Sequence, residues 1–203
     1  MDFTIWSLTA FAVAAFGGYI LGSIPFGLVL TKLAGLGDIR EIGSKNIGAT
    51  NVLRTGRKDL AAATLILDAG KAGIAALIFW WLLGYEAGLV AGGAAFLGHC
   101  YPVWLKFKGG KGVATFYGTL LAVAWPIGLL SALVWVGMAL MMRISSLSAL
   151  VAVAAAPIIA YAFDKPGVAL LAIFMGVIIY WRHRANIGRI MSGEEPRIGA
   201  KSA

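Results

Sequence analysis

The run VATFYGTLLAVAWPIGLLSALVWVGMALMM, residues 113–142, carries no charged side chain over 30 residues. A single helix rising about 1.5 Å per residue would reach about 45 Å over this length. The hydrocarbon core of a bilayer is only about 30 Å thick and is crossed by about 20 apolar residues. The run is therefore either one strongly tilted crossing or two short crossings broken at Trp125-Pro126, and the choice fixes which face each flanking segment occupies.

The distribution of basic residues favours two crossings. Basic side chains occur between positions 32 and 58, at 106–111, at 143 and from 182 onward. Positive residues concentrate on the cytoplasmic side of membrane proteins, and two crossings put all these clusters on one face and leave only Lys165 on the other. We predict an all-α, polytopic integral membrane protein. It has about seven transmembrane helices, some short or re-entrant, with the N-terminus outside and the C-terminus in the cytoplasm.

The composition agrees with a membrane protein. The chain has 203 residues, of which 60% are hydrophobic and 13% charged, and its mean hydropathy is +0.86. Residues 3–31 contain no ionisable side chain except Tyr19, and they are long enough to form the first transmembrane span. Short outer connections, at Gly84 and at residues 164–167, leave no room for an external domain. We predict one membrane-embedded domain over residues 1–203, with Asp59 as the N-cap of the second span.

We attribute the net charge of +8 to the excess of Lys and Arg in the cytoplasmic loops of membrane proteins. Nucleic acid is not an expected partner. Cys100 is the single cysteine, which excludes an internal disulfide and a multi-cysteine metal site. His99 precedes it, but neighbouring positions point apart and nothing indicates thiolate activation, so a structural role is expected for Cys100. We expect no metal and no cofactor.

Polar residues concentrate first in GSKNIGATNVLRTGRK, residues 43–58. Its hydrogen-bonding side chains are Ser44, Asn46, Thr50 and Asn51, of which we predict Asn46, Thr50 and Asn51 to contact a substrate or its phosphate. Arg54 follows, and its guanidinium can hold a phosphate or carboxylate by two bonds. A surface loop with helix caps is the alternative interpretation.

The second polar segment, GHCYPVWLKFKGGKGVAT, covers residues 98–115. Gly109, Gly110 and Gly112 would let backbone N–H groups converge on an oxyanion, and Lys111 adds a positive charge. The segment is not a Walker A loop, because Gly112 follows Lys111 where that motif needs Ser or Thr. It predicts an anion site at a bilayer surface.

Within the apolar run 60–83, Asp68 and Lys71 are three positions apart and share a helix face. Charges inside a span are costly, so they need a partner or a water-filled cavity. A structural ion pair and a substrate contact are both consistent with this spacing.

The remaining polar segments are RISSLS, residues 143–148, and RHRANIGRIMSGEEPR, residues 182–197. His183 and Asn186 share a face if the second of these is helical; a patch that attracts anionic lipid is the alternative. All four polar segments fall on the predicted cytoplasmic face, where we expect them to line one pocket. GxSxG and HExxH motifs are absent, and neither histidine begins an HxxxxD pattern, so an enzyme here would lack an obvious nucleophile and base.

Five segments closely resemble, in sequence and in order, the bacterial acyl-phosphate:glycerol-3-phosphate acyltransferase family, PlsY. They are GSKNIGATNVLR, LDAGK, GHCYPVWLKFKGGKGVAT, RISSLS and RHRANIGRIMSGEEP. The resemblance covers nearly the whole chain. Two positions depart from the pattern: Lys45 stands where the family usually has glycine, and Tyr101 stands where phenylalanine is common.

The resemblance implies a seven-helix enzyme of the bacterial cytoplasmic (inner) membrane with its active site on the cytoplasmic face. It would transfer a fatty acyl group from acyl phosphate to the 1-hydroxyl of glycerol 3-phosphate, giving lysophosphatidic acid and phosphate in the first step of phospholipid biosynthesis. The partners implied are these two substrates, the phospholipid bilayer and an acyl-phosphate synthase. The working-site residues carried over by motif position are Ser44, Asn46, Arg54, Lys111 with its glycines, His183, Asn186 and Glu195, with Ser148 and Lys71 in addition.

The chemistry is consistent with the missing nucleophile. Acyl phosphate is a mixed anhydride with a good leaving group, so attack by an alcohol needs orientation, charge stabilisation and removal of one proton. A substrate phosphate, with a second pKa of about 6, can accept that proton, and His183 is the rival base. A small transporter for a phosphorylated solute is the alternative function, since intramembrane charge and a basic mouth also suit transport.

Overall fold

The computed structural model describes residues 5–199, and within that range the chain is built from helices and turns, with no strand. The helices are α1 (Ile5–Gly22), α2 (Phe26–Leu33), α3 (Ala49–Val52), α4 (Lys58–Leu83), α5 (Tyr85–Cys100), α6 (Val113–Val123), α7 (Trp125–Met142), α8 (Ser145–Ala162), α9 (Pro166–Arg182) and α10 (Arg184–Met191). Single 3-10 turns lie at Ile39–Glu41, Leu53–Thr55 and Val103–Leu105. The chain divides into two compact units, one ending at Val123 and the other beginning at Ala124.

In the first unit, α4 packs against α1, α5 and α6, and α1 packs along α5. Small residues bring these backbones together: a Cβ at Gly18 or Gly22 of α1 would overlap the backbone of Ala91 or Ala95 of α5. Gly118 of α6 meets the backbone of α4 in the same way. Association of helices in lipid depends on such close approach, because lipid tails are as apolar as the helix surfaces.

In the second unit, α8 packs between α7 and α9, and α10 contacts both α8 and α9. Hydrogen bonds to backbone carbonyls join these helices: the Ser131 hydroxyl of α7 donates to Ala152 of α8 at 2.9 Å, and the Tyr180 hydroxyl of α9 donates to Leu150 of α8 at 3.1 Å. The axes of α9 and α10 differ by 63° across His183. This bend ends the apolar α9 and begins the polar α10.

Five candidate spans in residues 5–199 are long and apolar enough to cross a membrane, and the bent pair α9–α10 makes a sixth. They are residues 7–33, α4, residues 85–105, α7 and α8. The seventh apolar helix, α6, has only 11 residues, about 16 Å at 1.5 Å per residue. The all-helical prediction is confirmed, and the five or six candidate spans agree with a membrane protein. The count of seven spans and the orientation of the termini stay predictions.

The break predicted at Trp125-Pro126 is present one residue earlier. α6 ends at Val123 and α7 begins at Trp125, and Ala124 between them is non-helical, with φ −158° and ψ 71°. Pro126 occupies the first turn of α7, where its missing N–H costs no hydrogen bond. The 30-residue run is therefore two helices.

The predicted N-cap of the second span is wrong by two residues. α4 already begins at Lys58, its N-cap is Arg57, and no side chain caps it. Asp59 lies in the first turn and forms an ion pair with Arg57 at 2.6 Å. Its carboxylate is still favoured near the positive end of the helix dipole, which is the attraction that the sequence signalled.

Candidate active site

Asn51 organises the first polar segment. Its side chain is 1% exposed, and its amide nitrogen donates to the carbonyls of Ile39 and Asn46 at 2.8 Å and of Ile42 at 3.2 Å. Its amide oxygen accepts the backbone N–H of Ser44 at 2.9 Å. The sequence predicted a phosphate contact here, but the amide is fully engaged in holding its own loop, so Asn51 is a structural residue of the site.

Around this buried amide, the other predicted residues lie at the surface of the loop. Ser44, Thr50 and Arg54 are exposed, and Asn46 is half-buried. The amide oxygen of Asn46 is buried and has no hydrogen-bond partner, which is unusual for a buried polar atom. A donor supplied by a ligand, such as a hydroxyl group, would satisfy it.

Gly43 lets Arg54 lie against this loop. Gly43 has φ +52°, and a Cβ there would come within 2.8 Å of both the Cδ and the Nη1 atom of Arg54 and within 2.6 Å of the Asn51 amide oxygen. Only glycine tolerates both the left-handed backbone and the close approach. The Arg54 guanidinium therefore lies beside the backbone at Gly43, and its role in binding phosphate stays a prediction.

Lys45, where the resemblance departs from its pattern, has φ +55° and is exposed. A residue with a Cβ pays about 1 kcal/mol in this conformation, which glycine adopts freely. We expect Lys45→Gly to raise the free energy of unfolding by about 0.5 kcal/mol, because relief of strain exceeds the extra entropy of the unfolded chain. Thermal unfolding of the purified protein measures this. Lys45→Ala is the matched control, since it removes the charge but keeps the strain, and an equal gain in both variants would contradict the explanation.

The glycine-rich loop is tied to the end of α5. The Gly109 N–H donates to the Cys100 carbonyl at 3.1 Å, and the Gly110 N–H donates to the His99 carbonyl at 3.0 Å. Gly112 has φ +91°, and its Cα lies against the ring of Phe96. The prediction that these glycine amides converge on an oxyanion needs correction: at Gly109 and Gly110 they donate to the protein's own backbone, and glycine is required there for close packing.

The capacity to bind an anion lies slightly further along the chain. α6 begins at Val113, and the first N–H groups of a helix have no partner within it and carry partial positive charge. Half-buried Lys111 lies two residues before Val113, and such a helix end is a favourable place for a phosphate group. An anion site at Lys111 and the first turn of α6 stays a prediction.

Lys71 and Asp68 form a buried ion pair in α4, with Nζ 2.7 Å from Oδ1 and both side chains at most 3% exposed. Nζ also donates to the Ile24 carbonyl at 2.6 Å and lies 3.0 Å from Nδ1 of His99. The ion-pair interpretation of these two residues is confirmed. The sequence did not predict that His99 belongs to this cluster. His99 and Lys71 are 28 residues apart in the chain and come into contact only because α4 packs against α5.

In the second unit, the Glu195 carboxylate accepts three hydrogen bonds. Its Oε1 accepts from the Ser146 hydroxyl at 2.6 Å and from the Asn186 amide, and its Oε2 accepts from Arg189 Nε at 2.7 Å. Partial burial raises the pKa of the Glu195 carboxyl, but these hydrogen bonds outweigh burial and leave that pKa below its ordinary value. Glu195 is thus ionised at neutral pH and orients Asn186, a predicted site residue.

His183 stands at the bend between α9 and α10 and is 3% exposed. Its Nδ1 lies 2.8 Å from the Ile179 carbonyl. A carbonyl only accepts, so Nδ1 carries the proton and Nε2 is the basic nitrogen of the neutral ring. Ser148 is also buried, and its hydroxyl donates to Ile144 at 2.9 Å, so towards a ligand it can act as an acceptor.

The predicted residues therefore fall into two groups, one in each unit. The first unit holds the loop 43–54, the Asp68–Lys71–His99 cluster and the segment 109–112. The second unit holds His183, Asn186 and Glu195, joined by Ser146, which sequence reasoning did not single out although it lies in the RISSLS segment.

Residues 12–193 match the family model described as glycerol-3-phosphate acyltransferase. The chain belongs to the glycerol-3-phosphate acyltransferase family. A family member from Maricaulis maris, named glycerol-3-phosphate acyltransferase, is 66% identical over 197 residues, 97% of this chain and 91% of that protein. Another, from Paramagnetospirillum magneticum, is 64% identical over 188 residues, 93% of this chain and 94% of that protein.

Two solved structures of glycerol-3-phosphate acyltransferase family members share the fold. The glycerol 3-phosphate form of PlsY (YgiH), an integral membrane glycerol 3-phosphate acyltransferase, has a TM-score of 0.86 and 41% identity over 95% of this chain and 96% of that chain. Its lysophosphatidic acid form has the same TM-score and 40% identity over 93% of this chain and 95% of that chain. The resemblance found in the sequence is confirmed over nearly its whole length.

Proposed function

We propose that this chain transfers a fatty acyl group from acyl phosphate to the 1-hydroxyl of glycerol 3-phosphate, giving lysophosphatidic acid and inorganic phosphate. The observation that carries the proposal is the likeness to PlsY, whose structures in glycerol 3-phosphate and lysophosphatidic acid forms match nearly the whole chain. The two PlsY structures represent the substrate and the product of one acyl transfer, and PlsY has the same fold as this chain and about 40% sequence identity to it.

The residues suit a direct transfer. The substrate hydroxyl oxygen attacks the acyl carbon, the bond from that carbon to the phosphate oxygen breaks, and phosphate leaves with the electron pair. Lys111, the first turn of α6 and Arg54 would stabilise the charge that grows on the departing phosphate. No protein nucleophile takes part, which agrees with Cys100 being fully buried beside Gly112.

His183 and Asn186 would hold glycerol 3-phosphate, with Glu195 and Ser146 fixing the Asn186 amide. The hydroxyl proton passes to a substrate phosphate, whose second pKa of about 6 makes it a competent base. Asn46, with its unsatisfied amide oxygen, is suited to accept a hydrogen bond from a substrate hydroxyl.

The deciding experiment supplies the purified protein with palmitoyl phosphate and labelled glycerol 3-phosphate. Formation of labelled lysophosphatidic acid without a membrane gradient supports the proposal. Solute flux into proteoliposomes without product would instead support a transporter. Palmitoyl-CoA offered in competition identifies the donor, and a preference for the thioester would overturn acyl phosphate.

His183→Ala separates the two candidate bases. Because a substrate phosphate is the proposed base, we expect the variant to raise KM for glycerol 3-phosphate by roughly 10–100-fold and to keep the limb of the pH–rate profile near neutral pH. Steady-state kinetics between pH 5 and pH 9 measure both. Loss of that limb together with nearly all activity would assign proton transfer to the histidine.

We also infer that the protein lies in the bacterial cytoplasmic membrane with its active site on the cytoplasmic face, where it would draw acyl phosphate from an acyl-phosphate synthase. The basic segments support this orientation, since only Lys165 falls on the opposite side of the predicted topology. We expect Lys165→Cys in a Cys100→Ala background to react with an impermeant maleimide in intact cells, and Ser192→Cys to react only after lysis. The reverse pattern would invert the topology.

A further inference from the structure

The buried cluster Asp68–Lys71–His99 provides a hydrogen-bond acceptor for each hydrogen of the Lys71 ammonium group. Three acceptors surround Lys71 Nζ: the Asp68 carboxylate at 2.7 Å, the Ile24 carbonyl at 2.6 Å and the His99 Nδ1 at 3.0 Å. An ammonium group has three hydrogens and no lone pair, so each acceptor receives one of them. Nδ1 of His99 is therefore an acceptor, and the ring proton is on Nε2.

The Asp68 Oδ1 is farther from Nδ1, at 3.6 Å, and pairs with that nitrogen only if the imidazole is charged. The Lys71 ammonium, at 3.0 Å, therefore sets the tautomer of the neutral His99 ring, and the aspartate and the Ile24 carbonyl hold the lysine in place. This tautomer is opposite to that of His183, whose Nδ1 donates to a carbonyl.

The other edge of the His99 ring supports the glycine-rich loop. A Cβ at Gly110 would overlap Nε2 and lie 2.6 Å from Cε1 and 2.9 Å from Cδ2. The carbonyl of the same histidine accepts the Gly110 N–H at 3.0 Å. Gly110 is thus in contact with both the ring and the backbone of His99, and Lys111 is the next residue.

We propose that the Asp68–Lys71–His99 cluster is a positioning network, in which Lys71 fixes the tautomer and ring plane of His99 so that the backbone at Gly110 directs Lys111 towards the acyl-phosphate head group. Stability alone is a weak reason for such a cluster, because buried ion pairs are often no more stabilising than apolar residues of similar volume. Charges inside a span are retained mainly where they serve function. The effect on Lys111 rests on the proposed function, whereas the tautomer does not.

The tautomer is tested on the unaltered protein. The chain contains two histidines, so the ring ¹⁵N signals of histidine-labelled protein are assigned with a His183→Gln variant. We expect His99 to show a protonated Nε2 and an unprotonated Nδ1. A protonated Nδ1 would overturn the network whether or not the protein has acyltransferase activity.

The effect on Lys111 is tested kinetically. We expect Lys71→Met and His99→Asn each to lower kcat with palmitoyl phosphate by roughly 10-fold, because a misdirected Lys111 stabilises the transition state less, with a smaller change in KM for glycerol 3-phosphate. His99→Asn keeps an acceptor near the Nδ1 position but removes the ring beneath Gly110, so it serves if Lys71→Met does not fold.

Thr64→Val is the matched control. Thr64 is fully buried on the same helix, and its hydroxyl donates only within α4, to Leu60 at 2.7 Å. We expect its kinetic constants to stay within twofold of the unaltered protein. An unchanged kcat with palmitoyl phosphate in the cluster variants, or an equal change in the control, would overturn the positioning role. A wholly inactive unaltered protein would instead refute the proposed function, and the ¹⁵N result would stand.

Discussion

Lys111→Ala is expected to lower kcat for acyl transfer by roughly 10²–10³-fold, the typical effect of removing one group that stabilises transition-state charge. The lysine precedes the first turn of α6, where partial positive charge already favours an anion. Its removal leaves that helix end as the main positive group of the segment while charge develops on the departing phosphate. Single-turnover rates with palmitoyl phosphate measure the chemical step directly.

Lys108→Ala is the control for this variant. Lys108 carries the same charge three residues earlier but is exposed, so its contribution is screened by solvent and salt. We expect kcat within about twofold of the unaltered protein. Equal losses in both variants would mean that the segment acts through its overall charge, and a near-normal Lys111→Ala would remove the lysine from the mechanism.

Arg54→Ala is expected to lower kcat/KM by roughly 10²-fold or more, because a charge-assisted pair of bonds to phosphate is lost. The guanidinium lies beside Gly43, at the surface of a loop that Asn51 holds together from within. The loop itself should therefore survive the substitution, and the melting temperature should change little. Kinetics and thermal unfolding of the same preparation distinguish lost chemistry from lost folding.

The matched control is Arg57→Ala, three residues further on. Arg57 is exposed and forms an ion pair with Asp59, for which surface geometry predicts little energetic contribution. We expect nearly unchanged kinetics. Arg54→Lys adds a second comparison, since a point charge cannot reproduce bidentate binding and should restore activity only partly.

The sequence predicted most of the fold because a bilayer imposes simple rules. The length of the uncharged run 113–142 and the distribution of basic residues predicted two helices, and the structure breaks the run at Ala124. The spacing of Asp68 and Lys71 indicated a shared face, which the ion pair confirms. Helix ends were predicted less well, as Asp59 illustrates, because a favourable charge near a helix start does not identify the capping residue.

The roles of individual site residues were harder to predict. Asn51 has the same side chain as Asn46, yet one amide is bonded throughout and the other keeps an unsatisfied oxygen. From sequence, the N–H groups of Gly109 and Gly110 could bind an anion, but in the structure they donate to carbonyls at the end of α5. Composition identifies groups able to bind an anion, but only the folded backbone shows which of them are already engaged.

Gly18 and Gly22 bring the backbones of α1 and α5 into direct contact at Ala91 and Ala95. Close backbone approach gives these helices many dispersion contacts, which persist when detergent replaces lipid around them. Extraction into a micelle should therefore leave this helix pair assembled. Any larger residue at the same two positions would push the helices apart, so the freedom to diversify lies on the outward faces, where side chains meet only acyl chains.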